Sequence, residues 1–464
     1  MAILKGRTWR DVAVGTVALG GLLMATGSAG AAEPATTPTF TKDIAPIFQA
    51  KCEACHRPDS IAPMSLVTYE EARPFLASIK TKVSTRVMPP WHIDKTIGIQ
   101  KFKNDRSLTD AEIDTIVRWA NGGAPKGDPK DMPAAVKWAD DAKWNFAEMF
   151  GGPPDLVIKS TPYLQKSGSP DAWWHPVAET GLTEARWVRA IEIRPADVKG
   201  RKVVHHAIAR LTQDESQAPA AVRDPDAGAA ADPSAGASLG GGTFMEWAVG
   251  KQGEIMRPNS GKLLLPGSRF TWDIHYSNGG EDVTSVVEMG IYFYPKGQEP
   301  KYRQTLSSFG TGCCDIGPNE IKVHQGIRVM ERAGRIESFQ PHMHLRGKAM
   351  SLEAILPGTS QKIMLSYVND FNFNWHNSYV YADDVAPLLP KGTVIITTAW
   401  HDNTTGKKSN PDPLQWVGYG DRTVDEMAHA WVNVTYMNDD DYKAELAARR
   451  AKLAATRTSA EKQQ

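Results

Sequence analysis

Phe339-Gln340-Pro341-His342-Met343-His344-Leu345-Arg346-Gly347 places two histidines two residues apart in a region otherwise rich in β-formers. Successive strand side chains point to opposite faces, so His342 and His344 share a face and Met343 turns the other way, toward a core. Two imidazoles on one face are half of a transition-metal site. Outward from this stretch, short β-like runs recur with turn residues between them. Arg186-Trp-Val-Arg-Ala-Ile-Glu-Ile, Lys202-Val-Val-His-His-Ala-Ile-Ala, Arg269-Phe-Thr-Trp-Asp-Ile-His-Tyr and Val286-Val-Glu-Met-Gly-Ile-Tyr-Phe precede it; Gly392-Thr-Val-Ile-Ile-Thr-Thr-Ala-Trp and Ala430-Trp-Val-Asn-Val-Thr-Tyr follow. This spacing argues for sandwiches rather than βαβ units. The runs fall into an N-terminal β block over 154–300 and a C-terminal one over 301–437.

The chain has 464 residues, with Lys+Arg and Asp+Glu both at 53. Zero net charge removes the electrostatic case for nucleic acid as a partner. Residues 1–32 read as a signal peptide: Lys5, Arg7 and Arg10 make a basic start, Val12 to Ala25 is apolar, and Ala29-Gly30-Ala31 is a small-x-small cleavage signal. Cleavage near Ala31/Ala32 implies an exported, periplasmic protein with no membrane span in its mature form, since the apolar run is shorter than the ~20 residues a span needs. The four cysteines come as two pairs, which is no disulfide scaffold. Adjacent Cys313 and Cys314 suit a strained vicinal disulfide, uncrosslinked thiols or copper thiolate ligation.

Cys52-Glu53-Ala54-Cys55-His56 is the Cys-x-x-Cys-His signature of c-type haem attachment. The thiols add to the haem vinyl groups and His56 presents its imidazole to the iron. Met88, before the rigid pair Pro89-Pro90, is the expected second axial ligand, with Met64 and His92 as alternatives. The run from Ser107 to Gly123 reads as a capped amphipathic helix ending at glycine. Residues 40–127 thus resemble a single-haem class I cytochrome c, a small all-α domain. Residues 128–153 read as a packed linker, 213–243 as a mobile Ala/Gly/Pro/Ser-rich loop, and 438–464 as a charged tail, a solvated helix that frays.

The N-terminal β block offers His205-His206 and then His275 as metal ligands. Adjacent histidines on a regular strand face opposite ways, so both can bind one ion only if the strand ends or bulges there. The C-terminal block offers His342, His344 and the thioether of Met427, a donor that favours copper; His429 competes with it. His92, His175, His324, His376 and His401 read as surface or hydrogen-bonded core histidines, with His401 a candidate to border a substrate cleft.

His205-His206, His275-Tyr276, Pro341-His342-Met343-His344 and Asp425-Glu426-Met427, in this order and in two β blocks, resemble the copper type II ascorbate-dependent monooxygenases, the peptidylglycine α-hydroxylating and dopamine β-monooxygenase family. The match covers about 154–437 and is nearest to bacterial forms fused to a cytochrome c. The resemblance implies a multidomain chain: a small all-α cytochrome c domain, then all-β tandem jelly-roll-like sandwiches with one copper each across a solvent-filled cleft. His205, His206 and His275 would hold the electron-entry copper; His342, His344 and Met427 would hold the copper that meets dioxygen and a small organic substrate. Electrons would pass from an external redox protein or an ascorbate-like reductant through the haem to the first copper and then the second. The disulfide-forming cysteines of the animal enzymes are absent, and nothing matches a peptide or catecholamine pocket. A haem/copper electron-transfer or copper-binding protein without hydroxylase activity would use the same ligands.

Overall fold

The computed structural model describes residues 37–58, 60–138, 143–223, 242–248, 251, 253–277 and 279–461. The predicted signal peptide over 1–32 lies outside the described residues, as do residues 224–241 of the predicted loop.

Long runs of β-branched and aromatic residues pair into three main sheets. The largest has ten strands and runs through both β blocks. Its N-terminal half contains Leu156–Lys159, Val287–Phe293, Arg186–Pro195 and Ser260–Leu264; its C-terminal half contains Tyr302–Gly310, Ala428–Met437, Ala333–Met343 and Tyr379–Val380. The halves join where Tyr302 and Arg303 pair in parallel with Ser260 and Gly261. A five-stranded sheet containing Val204–Thr212, Gly242–Ala248 and Arg269–Tyr276 covers the N-terminal half. Val188, Ile191, Ile193 and Met289 of the long sheet pack there against Met245, Phe270 and Trp272. A four-stranded sheet of Ile321–Val329, Val394–Asp402, Gly347–Ile355 and Lys362–Val368 covers the C-terminal half. Ile336, Phe339 and Met343 meet Met350, Leu352 and Ile395 in that core, so Met343 does turn away from the histidine face.

Ala333–Met343 is buried along its whole length. Its odd face from Phe339 onward feeds the C-terminal core. Its even face looks across to the N-terminal block through polar contacts in which each side-chain amide group donates to a carboxylate, while its own oxygen stays buried without a partner. Gln340 donates to Glu246 at 2.7 Å, and Asn433 on the neighbouring strand donates to Glu254 at 3.2 Å. Glu254 also accepts from Lys251 and Lys262, each at 2.9 Å. Ile208, Leu306 and Trp431 add a small apolar contact between the blocks.

The expected small all-α domain is not what forms. Strand makes up 36% of the chain against 19% helix, and residues 38–464 cluster as one compact unit. Among the described residues before 153 the α-helices are short: Ala45–Lys51, Tyr69–Ala72, Leu76–Ser84, Asp110–Asn121 and Ala147–Phe150. The last helix before Gly122 starts at a capping box between Thr109 and Glu112. Between these helices the chain leaves for the sandwich: Ile93 bridges Val368 and Phe102 bridges Tyr381. Trp91, Ile93 and Phe102 belong to the C-terminal core cluster. Their apolar area is buried against the β body rather than in a helical core.

Two further segments are more tightly held than their composition suggests. Within 213–223, Ala218 packs on Leu263 and Leu265, and Glu215 takes Arg303 in an ion pair at 2.7 Å. The tail helix Asp439–Glu461 is pinned through Glu445, which accepts from Arg335 at 2.8 Å.

Candidate metal centre

The Val204–Thr212 strand carries the adjacent histidines, and its pairing with Arg269–Tyr276 slips there. His275 pairs with His206, but Tyr276 pairs with Val204, leaving His205 as the extra residue of a bulge. A bulge re-aims a side chain, so both imidazoles and that of His275 converge. The ligand nitrogens of the three lie within 4.8 Å of one another. Nδ1 of His205 stands 3.2 Å from Nδ1 of His206. His275 gives Nε2 to Asp171 at 3.1 Å and stacks on Trp173, while its Nδ1 is buried without a hydrogen-bond partner. That is the carboxylate–histidine arrangement that presents the other ring nitrogen to a metal. The hydrogen bond from His275 holds the Asp171 carboxyl below its ordinary range despite partial burial. Burial first, and His275 second, pull the His205 imidazole down to about 4. Neutral imidazoles are the form that ligates.

The second group forms where Ala333–Met343 ends. His342 pairs with His429 across the ladder, and Met343 with Ala428 at its end, so these two histidines share one face of neighbouring strands. His344 and Met427 are the residues just beyond that last pair. The rings of His342 and His429 stack at 4.6 Å. His344 is fixed at both ends: its backbone N–H donates to Glu426 at 2.9 Å, and Nδ1 to the Asp425 carbonyl at 3.1 Å, leaving Nε2 as the free lone pair. Burial would raise Glu426, but hydrogen bonding from His401 and the charges around it hold it ionised. Burial, then the neighbouring imidazoles, pushes His342 well below its usual value.

His376, read from the sequence as a spare core histidine, belongs to this centre. Its Nδ1 lies 3.0 Å from Nδ1 of His342, and its ring is 6.2 Å from that of His205 and 6.4 Å from that of His206. Its Nε2 is buried with no hydrogen-bond partner. The two histidine groups therefore meet instead of facing one another across a wide cleft: the rings of His206 and His342 are 6.3 Å apart. Asp171 and His376 carry no motif of their own, and Glu426 entered the sequence reading only as the neighbour of Met427. The one local signal for His376 is its setting, Phe373-Asn374-Trp375-His376-Asn377, an aromatic and polar loop between strands.

Cys52, Cys55 and His56 sit at the end of the helix Ala45–Lys51. The amides of Cys55 and His56 both bond back to the Cys52 carbonyl, at 3.1 and 2.9 Å, so the motif closes as one turn. Both thiols are free of disulfides, and burial pushes Cys52 up to about 12. His56 gives Nδ1 to the Met64 carbonyl at 3.2 Å, so Nε2 is the nitrogen available to iron. Met64 thus meets the imidazole through its backbone carbonyl. Met88 lies on the turn that follows the helix Leu76–Ser84. His92 is anchored to the sandwich through its backbone N–H, which donates to Tyr379.

The Met88 turn and the histidine groups are linked through a single loop. Asn377, next to His376, donates to the Pro90 carbonyl at 3.0 Å. Two hydrogen bonds flank the histidines between the blocks: Glu246–Gln340 on one side, and Asp171 accepting from Thr423 at 3.1 Å on the other. Of the remaining histidines, His175 bonds Asp273 at 3.2 Å near the surface, and His401 bonds the Met427 carbonyl at 3.2 Å.

No protein-family model matches the chain, and no curated protein does. Among solved structures, the infectious bursal disease virus Gx strain is 9% identical with a TM-score of 0.17, over 66% of this chain and 76% of that one. The STIV MCP is 7% identical with a TM-score of 0.20, over 63% and 99%. At these scores neither similarity assigns a fold or a function. Among the described residues no helix is long and apolar enough to cross a membrane.

Proposed function

We propose that the chain is an exported dicopper monooxygenase that hydroxylates a C–H bond of a small organic substrate with dioxygen, its electrons entering through a covalently attached c-type haem. The observation that carries this reading is the burial of His275 Nδ1 without a hydrogen-bond partner inside three convergent imidazoles, with the ring of His342 from the second group only 6.3 Å from that of His206. A buried orphan nitrogen costs about 1–3 kcal/mol, which metal ligation would relieve. The donor set also fits: His205, His206 and His275 would hold one ion, and His342, His344 and Met427 the other, with a thioether that favours copper. Copper there supplies dioxygen binding and one-electron exchange, and the haem supplies one-electron storage.

The protein's own residues prepare that chemistry. The bulge at His205 aims three imidazoles at one point. Asp171 fixes the tautomer and ring orientation of His275. The Asp425 carbonyl and the Glu426 carboxylate set the ring and backbone of His344. His56 keeps Nε2 for iron by spending Nδ1 on Met64, and Asn377 joins the Met88 turn to the histidine loop. Hydroxylation puts one oxygen atom into product and the other into water, which takes two electrons.

The close approach of the two groups favours a second reading, a haem and copper electron-transfer protein without hydroxylase activity. Copper-loaded protein, reduced anaerobically and exposed to oxygen-18 gas with a pool of small organic molecules, separates the two. Haem reoxidation with one labelled oxygen in an organic product is expected. Oxygen consumption, or haem–copper exchange without oxygen, and no labelled product would overturn hydroxylation.

A further inference from the structure

Away from the two histidine groups, a different set of donors converges. Cys313 and Cys314 follow the strand Tyr302–Gly310 and are joined as a disulfide. Their sulfurs and a ring nitrogen of His401 lie within 4.8 Å of one another. His324 lies beside this set and not within it: its Nδ1 faces Nδ1 of His401 at 3.3 Å, so it reaches the sulfurs only once the disulfide opens and they move. The pairing of Ile321–Val329 with Val394–Asp402 explains the approach. His324 pairs with Ala399 and His401 with Lys322, so the two are diagonal neighbours on one face. Gly326 lets this sheet cross the other at close range, since a Cβ there would meet the Gly310 carbonyl oxygen at 1.7 Å.

The donor chemistry is selective. His401 gives Nε2 to the Met427 carbonyl at 3.2 Å, so its Nδ1 is the lone pair. Two nitrogens bound to one ion at ~2.0–2.1 Å in tetrahedral geometry stand ~3.3 Å apart, and the hydrogen-bonded Nδ1 atoms of His324 and His401 are already 3.3 Å apart, so an ion can replace the proton between them. Two thiolates and two imidazoles suit a d10 ion, zinc(II) or copper(I), better than copper(II).

We infer that Cys313, Cys314, His324 and His401 form a third metal site, of the Cys2His2 type, that exists only when the Cys313–Cys314 disulfide is reduced. Opening the disulfide takes two electrons from a dithiol reductant, which becomes a disulfide in turn. The S–S bond breaks, two thiols form, and their two protons pass to solvent as the thiolates bind the ion. His401 then links this ion to the backbone of Met427, so the redox state of the cysteine pair reaches the neighbouring centre through one hydrogen bond.

The test uses the holoprotein, in which Cys52 and Cys55 are consumed by haem, with zinc(II) alone as the probe. Protein kept oxidised and protein reduced with a water-soluble phosphine, which is itself oxidised to the phosphine oxide, are each equilibrated with zinc and desalted anaerobically. Metal content should rise by one zinc per chain on reduction. The zinc X-ray absorption of that extra equivalent should show two sulfur neighbours at ~2.3 Å. C313S/C314S should abolish the increment, and H324A, a change at a half-buried strand position, should weaken the extra zinc at least tenfold. Equal zinc in both redox states, an increment that survives C313S/C314S, or an H324A affinity within threefold of the parent would overturn the proposal.

Discussion

Removing the carboxylate at Asp171 tests the three-histidine group without touching any of its ligands. Asp171 accepts from His275 Nε2 at 3.1 Å and from Thr423 at 3.1 Å. A hydrogen bond to a charged partner contributes about 1.5–3 kcal/mol, and at about 1.4 kcal/mol per decade this predicts a ~10- to 100-fold loss of metal affinity in D171A. D171N keeps an acceptor oxygen and loses only the charge, so its loss should lie near ~10-fold. T423V leaves the His275 bond in place and should change affinity less than ~3-fold. Competitive titration of the reduced protein with copper(I) against a chromophoric chelator resolves the sites, and thermal melting of the metal-free protein reports the fold. The expected outcome is one weakened class of site, graded D171A over D171N over T423V, with the second class unmoved. A D171A variant that keeps its melting midpoint and binds both coppers within threefold of the parent would refute the reasoning, because His275 would then need no orienting carboxylate.

Other outcomes follow from the same structure. Glu254 lies between Lys251 and Lys262; burial alone would raise it, but the two ammonium groups win and hold it at about 2 against an ordinary 4.5. Its stabilisation is full above pH 4.5 and is lost as the pH falls from there toward 2, so E254Q should cost about 3–5 kcal/mol at neutral pH and flatten the stability profile in that window, as read by urea unfolding. G326A puts a methyl group into the Gly310 carbonyl, and the strands must part; a loss of about 3 kcal/mol or more is expected by denaturant unfolding, and less than 1 would show that the crossing relaxes freely. N377A removes the bond to Pro90. It should slow reoxidation of the reduced haem by copper-loaded protein in stopped-flow, with the haem absorption spectrum and copper content unchanged.

Much of the centre was legible because its information is local. A His-x-His spacing on a strand needs only the alternation of side chains, and His205-His206 carried its own condition, that the strand must bulge. The bulge lies at that residue. The Cys-x-x-Cys-His turn is equally self-contained. His376 was not legible, because its loop has no period, and what brings it to His342 is tertiary: Asn377 bonds Pro90 and the rings of Phe371 and Phe373 pack around it. The misread all-α domain has the same origin. Capping boxes at Thr68 and Thr109 are local signals and give real helices, but nothing local says that Trp91, Ile93 and Phe102 between them belong to a β core.

The spacing between the two histidine groups is set by the chain rather than by any ion. His206 pairs with Ala248 on the neighbouring strand, and Glu246 lies two residues before it on the same strand face. Glu246 accepts from Gln340, and Gln340 lies two residues before His342, again on one face. One hydrogen bond of 2.7 Å therefore acts as a ruler from His206 to His342, with a strand repeat on each side of it. On the other flank, Asp171 joins His275 to Thr423, four residues before Met427. The first group sits on the five-stranded sheet and the second on the long sheet, so among the described residues no backbone ladder crosses between them at this point. Side chains do that instead, and both bridging carboxylates are tied to other partners, Glu246 to Lys251 and Asp171 to His275. A pair of metal ions bound to these groups would inherit a separation written into Glu246, Gln340, Asp171 and Thr423.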